Sequence, residues 1–229
     1  MSKTLLAIGA HYDDCVFGIP GILLAAVRKH YRVVVLNILG DYANWSPVKG
    51  REQQLRENST ELAWQRGIEM RFLDYASMHV DVNDRSKQAV AEVVADVKPD
   101  VAFILWQHDR HPDHEVAATL SRMALRQPGM ILGRDGVRGT RRIYAYDNGP
   151  GHTIDFEPNT YVNITDDWAE ANEWLGQSMA FVTDRPYDPQ SPHAAQKVKE
   201  TLARYRGLAC GVQYAEALRA TGAYPQEIL

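Results

Sequence analysis

Two short runs of histidine and aspartate contain the residue types best suited to chemistry in this sequence. They are His11–Asp14 (HYDD) and His111–His114 (HPDH). Two imidazoles and one carboxylate are a common ligand set for catalytic Zn²⁺ and leave a fourth position for water. Metal binding lowers the pKa of that water toward about 7, and a nearby carboxylate outside the ligand set can then take its proton. With Asp13 and Asp14 as one ligand and one base, the pattern indicates metal-assisted hydrolysis.

The elements that must position these motifs follow from the alternation of apolar runs with segments of helical period. This alternation predicts βαβ units and an α/β fold with a Rossmann-like, doubly wound, mostly parallel sheet. The first four predicted strands are Thr4–Ile8, Arg32–Leu39, Met70–Leu73 and Val101–Trp106. In such sheets the fourth strand commonly lies beside the first, and ligands bind outside the carboxyl ends where the strand order reverses. Each motif follows one of these two strands, so we expect the motifs to meet there.

The remaining elements are predicted from periodicity and from helix start and stop signals. Helices are predicted over Phe17–His30, Arg51–Arg66, Arg85–Val97 and from Asp113 to Arg126, with Pro128 and Gly129 ending the last. The second half is less regular, with strands at Arg142–Tyr146 and Thr160–Ile164 and helices from Thr165 to about Phe181 and over Ala194–Gly207. Because no repeat or linker interrupts the pattern, we expect one domain over residues 1–229.

The composition is that of an ordinary globular protein. The chain has 229 residues, of which 45% are hydrophobic and 24% charged, which excludes disordered, collagenous and disulfide-scaffold classes. A net charge of -4 is too weak to predict a nucleic-acid or membrane partner, so a small-molecule substrate is expected. With only two cysteines, no signal-peptide pattern and no apolar run of roughly 20 residues, we expect a cytoplasmic protein.

Two further segments bear on the ligand. The turn after the first strand, Gly9–Gly18, carries histidine and aspartate where a dinucleotide fold needs G-x-G-x-x-G, which disfavours dinucleotide binding. The segment Gly129–Arg142 contains four glycines and four arginines with one acid, Asp135, which predicts a mobile basic loop. Three interpretations of this loop stay open: a solvated loop, contact with an anionic substrate, or contact with a neighbouring subunit.

At its motifs the chain resembles the LmbE-like, or PIG-L, family of metal-dependent deacetylases, which act mostly on N-acetylglucosamine-type sugars. The matching segments are Ala10–Cys15 (AHYDDC), Asp109–His114 (DRHPDH) and Gly211–Ala217 (GVQYAEA), with a weaker match over Phe156–Thr165. The resemblance spans nearly the whole chain. It implies the family's fold and a homo-oligomer. It also implies a hydrolase that removes an acyl group, with acetyl as the expected one, from the amide nitrogen of an amino sugar or conjugate.

The resemblance also implies roles for individual residues. The implied metal ligands are His11, Asp14 and His114. Asp13 would be the general base and would later protonate the leaving amine. His111 would polarise the carbonyl oxygen, and Asp113 would orient an imidazole. Zn²⁺ is the expected cofactor, with Fe²⁺ or another divalent ion as the alternative, since selectivity follows availability as much as affinity.

The first motif departs from the family pattern at two positions. Tyr12 stands where the family usually has proline, and Cys15 where it usually has glutamate. These changes leave the three implied ligands intact but leave the substrate open. Two alternatives therefore stand beside the deacetylase: a catalytically silent protein that binds a sugar or nucleotide, and an amidase for a non-sugar N-acyl substrate.

Candidate substrate contacts follow the second predicted strand. Asp41, Tyr42 and Trp45 lie at its carboxyl end, where aromatic rings could stack on a sugar and the carboxylate could bind hydroxyls. Ordinary packing of the two aromatic rings is the alternative. Arg56 joins these candidates because the family often places an arginine near the site in the following helix. The expected partner is thus a small N-acylated molecule, with no nucleic acid and no membrane.

Overall fold

A seven-stranded sheet forms the centre of the fold in the computed structural model, which describes residues 3–224. The strands are β1 Thr4–Gly9, β2 Arg32–Asp41, β3 Ile68–Ala76, β4 Val101–Leu105, β5 Arg142–Tyr146, β6 Thr160–Asn163 and β7 Ala215–Ala220. Their order is β3-β2-β1-β4-β5-β7-β6. The first five pair in parallel, whereas β7 is antiparallel to both of its neighbours. The predicted α/β fold with a doubly wound, mostly parallel sheet is confirmed.

Helices cover both faces of this sheet. They are α1 Asp14–Gly18, α2 Pro20–Arg28, α3 Glu52–Trp64, α4 Asp84–Val97, α5 Pro112–Arg126, α6 Pro128–Leu132, α7 Trp168–Val182 and α8 Ala194–Cys210. Short 3₁₀ turns cover Ser46–Val48 and Thr165–Asp167. Helices α4, α5 and α6 pack together on one face, while α7 packs against α2, α3 and α8 on the other. Among residues 3–224 no helix is long and apolar enough to cross a membrane.

The central strands show why the sheet is covered on both sides. In β2 the eight residues from Val33 to Gly40 are all buried, although strand side chains alternate between faces. A run rich in β-branched residues and buried on both faces is typical of the inner strands of a parallel sheet. β1 lies between β2 and β4, so the strand order reverses at the place predicted from the sequence.

Three helix boundaries differ from the prediction for reasons that involve proline. The predicted helix Phe17–His30 is divided into α1 and α2, which meet at Ile19. Pro20 has no backbone N–H to continue α1, but it fits the first turn of a new helix. Pro128 likewise occupies the first position of α6 instead of only ending α5, and α5 itself begins at Pro112, one residue before the predicted start.

The C-terminal strand β7 is absent from the prediction. Its sequence, AEALRA, has neither a β-branched residue nor a clear alternation, so its local signal is weak. The strand is nevertheless held between β5 and β6, and its first four residues are buried. Tertiary contacts therefore determine this element.

The basic segment Gly129–Arg142 lies at the edge of the sheet opposite the two motifs. Its end, Arg142, pairs with Val101 at the amino end of β4, whereas HPDH follows the carboxyl end of that strand. The 15 residues of α5 separate the two edges by about 22 Å. The segment also contains most of α6, and Arg134 donates to Glu92 of α4. Part of the predicted loop is therefore helical, and its position away from the motifs does not support contact with a substrate held there.

Candidate active site

The two motifs are carried by the amino termini of α1 and α5, which follow β1 and β4 at the same edge of the sheet. Asp13 is the residue immediately before α1, and Asp14 is its first residue. In α5 the side chain of His111 caps the helix, because its Nδ1 accepts the Asp113 backbone N–H at 3.2 Å. Pro112 favours the first turn of this helix. The turns thus bring the motifs together, as predicted.

Three donor atoms converge between the motifs. His11 Nδ1 lies 3.2 Å from His114 Nε2, and His114 Nε2 lies 3.1 Å from Asp14 Oδ1. His11 Nδ1 also lies 3.6 Å from Asp14 Oδ2. One ligand atom from each of the three residues fits within a span of 4.8 Å. Two imidazole nitrogens and one carboxylate oxygen at this spacing fit a divalent ion such as Zn²⁺.

Surrounding groups fix the orientation of these donors. Asp14 Oδ2 accepts the backbone N–H groups of Ala10 and His11, each at 2.8 Å, and Oδ1 accepts the Asn148 amide at 2.9 Å. Asp109 Oδ2 lies 3.1 Å from His114 Nδ1, the ring nitrogen that faces away from the convergence point. A carboxylate behind a histidine is the usual partner of a metal-binding imidazole, since it fixes the tautomer and ring orientation.

Asp113 supports the other imidazole. Its Oδ2 lies 3.3 Å from His11 Nε2 and accepts the Ser77 hydroxyl at 2.7 Å. The Met78 backbone N–H donates to the same carboxylate. The structure therefore places Asp113 where it orients His11. Asp113 is itself held by Ser77 and Met78, which follow β3 at the same edge of the sheet.

The carboxylates strongly favour positive charge at this point. Burial disfavours the imidazolium form of His11 and His114, but the neighbouring carboxylates outweigh it. The pKa of His11 is raised to about 9 by Asp113 and Asp14, and that of His114 to about 10 by Asp14 and Asp109. The pKa of Asp113 falls to about 2, because hydrogen bonds from His11 and Ser77 overcome the effect of burial. A site this negative is suited to a cation.

Asp13 and His111 have the opposite electrostatic setting. Burial raises the pKa of Asp13, and the negative charge of Asp14 raises it further, so Asp13 takes up a proton more readily than an ordinary aspartate. Burial lowers the pKa of His111, and the charges of His11 and His114 lower it further. In the neutral His111 ring, Nδ1 accepts the hydrogen bond from the Asp113 backbone N–H, so the ring proton is on Nε2. The site thus holds one proton acceptor and one neutral donor.

These groups lie in a cavity of about 430 Å³. An aromatic wall of Tyr12, Tyr42 and Trp45 forms one side, with the Tyr12 ring centroid 5.9 Å from each of the other two. Tyr42 is buried, and its hydroxyl accepts the Tyr12 N–H at 2.9 Å, so it also serves packing. Trp45 is half-buried and also lines the cavity.

Two of the predicted substrate contacts lie outside the cavity lining. Asp41 is exposed, and its carboxylate accepts the backbone N–H of Ala43 in its own turn. Arg56 reaches Asp74 at 3.6 Å and stacks on Phe72, beside β3. Both side chains thus have local partners, and neither lines the cavity.

The segment after β5 supplies lining residues that the sequence prediction did not assign to the site. Asn148 holds Asp14, and His152 lines the cavity with its Nδ1 3.7 Å from Asp109 Oδ1. Because β5 is parallel to β4, this segment leaves the sheet at the same carboxyl edge. The rule that ligands bind outside the carboxyl ends of parallel strands would have identified this segment, since Asp147 and Asn148 directly follow the predicted strand Arg142–Tyr146.

Cys15 has a packing role in the structure. It is fully buried, and its Sγ lies 3.4 Å from the Tyr146 hydroxyl. Burial raises the pKa of the thiol well above its ordinary value, which keeps it protonated. Cys15 therefore belongs to the core behind the site and is absent from the set of converging donors.

A protein family and several solved structures are similar to this chain. The profile of the PIG-L family, described as GlcNAc-PI de-N-acetylase, matches residues 6–125, just over half of the chain. The 4-carboxy-2-hydroxymuconate hydratase GalB from Pseudomonas putida is 20% identical, with a TM-score of 0.81 and coverage of 99% of both chains. The conserved protein TT1542 from Thermus thermophilus is 22% identical, with a TM-score of 0.83 over 100% of this chain and 98% of that one.

A deacetylase shares the same architecture. The N,N'-diacetylchitobiose deacetylase from Pyrococcus horikoshii is 19% identical, with a TM-score of 0.79 over 96% of this chain and 84% of that one. At these identities the likeness establishes the fold. A hydratase and a deacetylase stand side by side among these structures, so the reaction must be argued from the site itself.

Proposed function

The chain belongs to the PIG-L family, described as GlcNAc-PI de-N-acetylase, and on that premise we propose that it is a metal-dependent N-deacetylase of amino sugars or their conjugates. The observation that supports this most is the convergence of His11, Asp14 and His114 on one point of a cavity, with Asp13 beside them. Hydrolysis breaks the amide C–N bond, and the acyl group leaves as a carboxylate while the sugar keeps its amine.

The proposed ligands are His11, Asp14 and His114, with Zn²⁺ as the expected ion and Fe²⁺ as the alternative that the same donors accept. When bound, the ion supplies Lewis acidity toward a carbonyl oxygen and toward water. Asp109 and Asp113 keep the two imidazoles in the required orientation, as their contacts with ring nitrogens indicate.

Asp13 is the proposed general base. It accepts a proton from the attacking water and returns that proton to the amide nitrogen, so that the nitrogen leaves as a neutral amine. Its raised pKa favours both transfers, because a carboxylate with an ordinary pKa would hold a proton poorly near neutral pH.

His111 is the proposed electrophilic partner. Its neutral ring carries a proton on Nε2, and it lines the cavity within 4.7 Å, centroid to centroid, of the His11 ring. A donor fixed in advance near the acyl oxygen stabilises the negative charge that develops there as water attacks. Trp45, at the aromatic wall, is the proposed stacking surface for the sugar ring.

The decisive experiment measures release of primary amine from a panel of N-acetylated sugars by metal-loaded protein. We expect Asp13→Asn to keep its metal and to lose about 10²- to 10⁴-fold in rate. Asp41→Asn is the matched control, because Asp41 is exposed and outside the cavity lining. If the metal-loaded wild-type protein released no amine across the panel yet bound the sugars, the silent binding protein would be the correct interpretation.

A further inference from the structure

A second hollow of about 580 Å³ lies directly beside the active-site cavity. Gly149, Pro150 and Val198 line both spaces, so the two are separated only by this short ridge. Nothing in the proposed chemistry uses the hollow. A molecule held at the converging donors and long enough to cross Pro150 would reach this second surface.

The floor of the hollow is an apolar stripe on α8. Val198, Leu202 and Tyr205 follow one another at the i, i+4 and i+7 spacing that places side chains on one helix face. Val198 is 41% exposed and Tyr205 is 62% exposed, so this stripe faces solvent instead of the core. An exposed apolar surface that continues into a catalytic cavity is typical of a ligand-binding surface.

Flat aromatic surfaces with compensated charge complete the hollow. Arg206 is mostly buried and donates to Asp147 at 2.7 Å, so the positive charge is neutralised within the protein. Its guanidinium lies 5.7 Å from the Phe156 ring centroid and 5.3 Å from that of Tyr205. Arg206 therefore lies between two rings, and because its charge is paired, this part of the hollow suits a flat apolar group. The other cation of the lining, Lys197, is exposed.

We propose that this hollow is a subsite for an apolar, preferably aromatic, aglycone attached to the amino sugar. This inference rests on the proposed function, and it specifies the group attached to the sugar as apolar and aromatic. The acylated nitrogen lies at the converging donors, the sugar occupies the first cavity, and the aglycone crosses Pro150 to pack on the α8 stripe.

The test compares metal-loaded wild-type protein on the methyl and phenyl glycosides of N-acetylglucosamine and N-acetylgalactosamine. Burial of a phenyl ring on the stripe predicts that kcat/KM is on the order of tenfold higher for the phenyl glycoside, mainly through KM. Tyr205→Ala and Leu202→Asp should abolish this preference and leave kcat/KM for the methyl glycoside unchanged. Leu208→Ala is the matched control, since Leu208 lies on the same helix, is 82% exposed and is not part of the hollow.

Four results would overturn the inference. Equal kcat/KM values for methyl and phenyl glycosides would show that the aglycone does not reach the hollow. A change in oligomeric mass of Tyr205→Ala, with the phenyl preference intact, would assign the stripe to a second copy of the chain. Release of amine from methyl glycosides alone would keep the proposed function and reject the subsite, whereas no amine from any compound would reject both.

Discussion

Two buried groups of charged residues lie at opposite ends of the five-residue helix α1, and they differ in how completely they are paired. At its start, His11, Asp14 and His114 bring ligand atoms within 4.8 Å of one another. At its end, Lys199 of α8 donates to the Gly18 carbonyl at 2.8 Å and lies 2.9 Å from Glu216 of β7. This second group is also almost fully buried, with the Lys199 side chain 3% exposed and the Glu216 side chain 1% exposed.

The pair at the end of α1 is saturated with partners. Glu216 accepts the backbone N–H groups of Gly21 and Ile22 at 3.1 and 2.8 Å, in addition to Lys199. It therefore satisfies donors in the first turn of α2, while Lys199 satisfies a carbonyl at the end of α1. The cluster at the start of α1 instead gathers carboxylates around two imidazoles whose nitrogens face each other. A saturated pair fixes the backbone, whereas converging donors form a binding site.

The largest expected effect comes from removing a converging donor. His114→Ala should lose the metal and reduce amine release to background, because the two remaining proposed ligands, His11 and Asp14, cannot complete the site. Metal analysis of the purified variant and the amine assay measure this directly. His30→Asn is the control, since His30 is exposed at the end of α2 and asparagine tolerates its positive φ of 60°. Stoichiometric metal in His114→Ala would show that the ligand set is wrong.

The next effect tests the saturated pair. Lys199→Met should lower the free energy of unfolding by about 3–5 kcal/mol, because Glu216 would remain buried and charged without its partner. Denaturant unfolding measures the change, and metal content per folded molecule should stay at the wild-type value. Lys197→Met is the matched control, an exposed lysine two residues earlier on the same helix. Equal stability of the two variants would show that the pairing of Lys199 with Glu216 does not stabilise the fold.

The two clusters were not equally predictable from sequence. The converging donors carry a local signal, since HYDD and HPDH are compact and each follows a strand whose neighbour can be inferred from topology. Lys199 carries no such signal, because a lysine in an amphipathic helix is usually solvated. Glu216 lies within the matching segment Gly211–Ala217, but that segment does not indicate a lysine as its partner. Their pairing depends on β7 lying beside β5, which no local pattern indicated.

Smaller differences follow the same distinction. The division of α1 from α2 could have been predicted, because proline cannot continue a helix but suits the first turn of the next one. Asn148 could have been found by extending the rule of carboxyl ends to β5. The outward turn of Asp41 could not, because it depends on a single hydrogen bond within its own loop.

A third prediction concerns the support behind the converging donors. Asp109→Asn should weaken metal affinity by about 10- to 100-fold, because the carboxylate that orients His114 through Nδ1 is lost. Competition with a chelator measures this affinity. Asp41→Asn is again the control, because Asp41 is exposed and lies outside the cavity lining. An unchanged affinity would mean that the His114 ring is held by packing alone.

The final prediction uses Cys15 to report on α1 from between the two clusters. Cys15 is fully buried and its thiol pKa is raised by burial, so a thiol reagent can modify it only when α1 opens. In a Cys210→Ser background, Lys199→Met should increase the rate of Cys15 modification at least tenfold, because each loss of about 1.4 kcal/mol raises the population of the open form tenfold. His114→Ala should change that rate less, because the Lys199–Glu216 pair at the end of α1 remains intact. A larger increase in His114→Ala than in Lys199→Met would reverse the assignment, making the converging donors the main anchor of the helix.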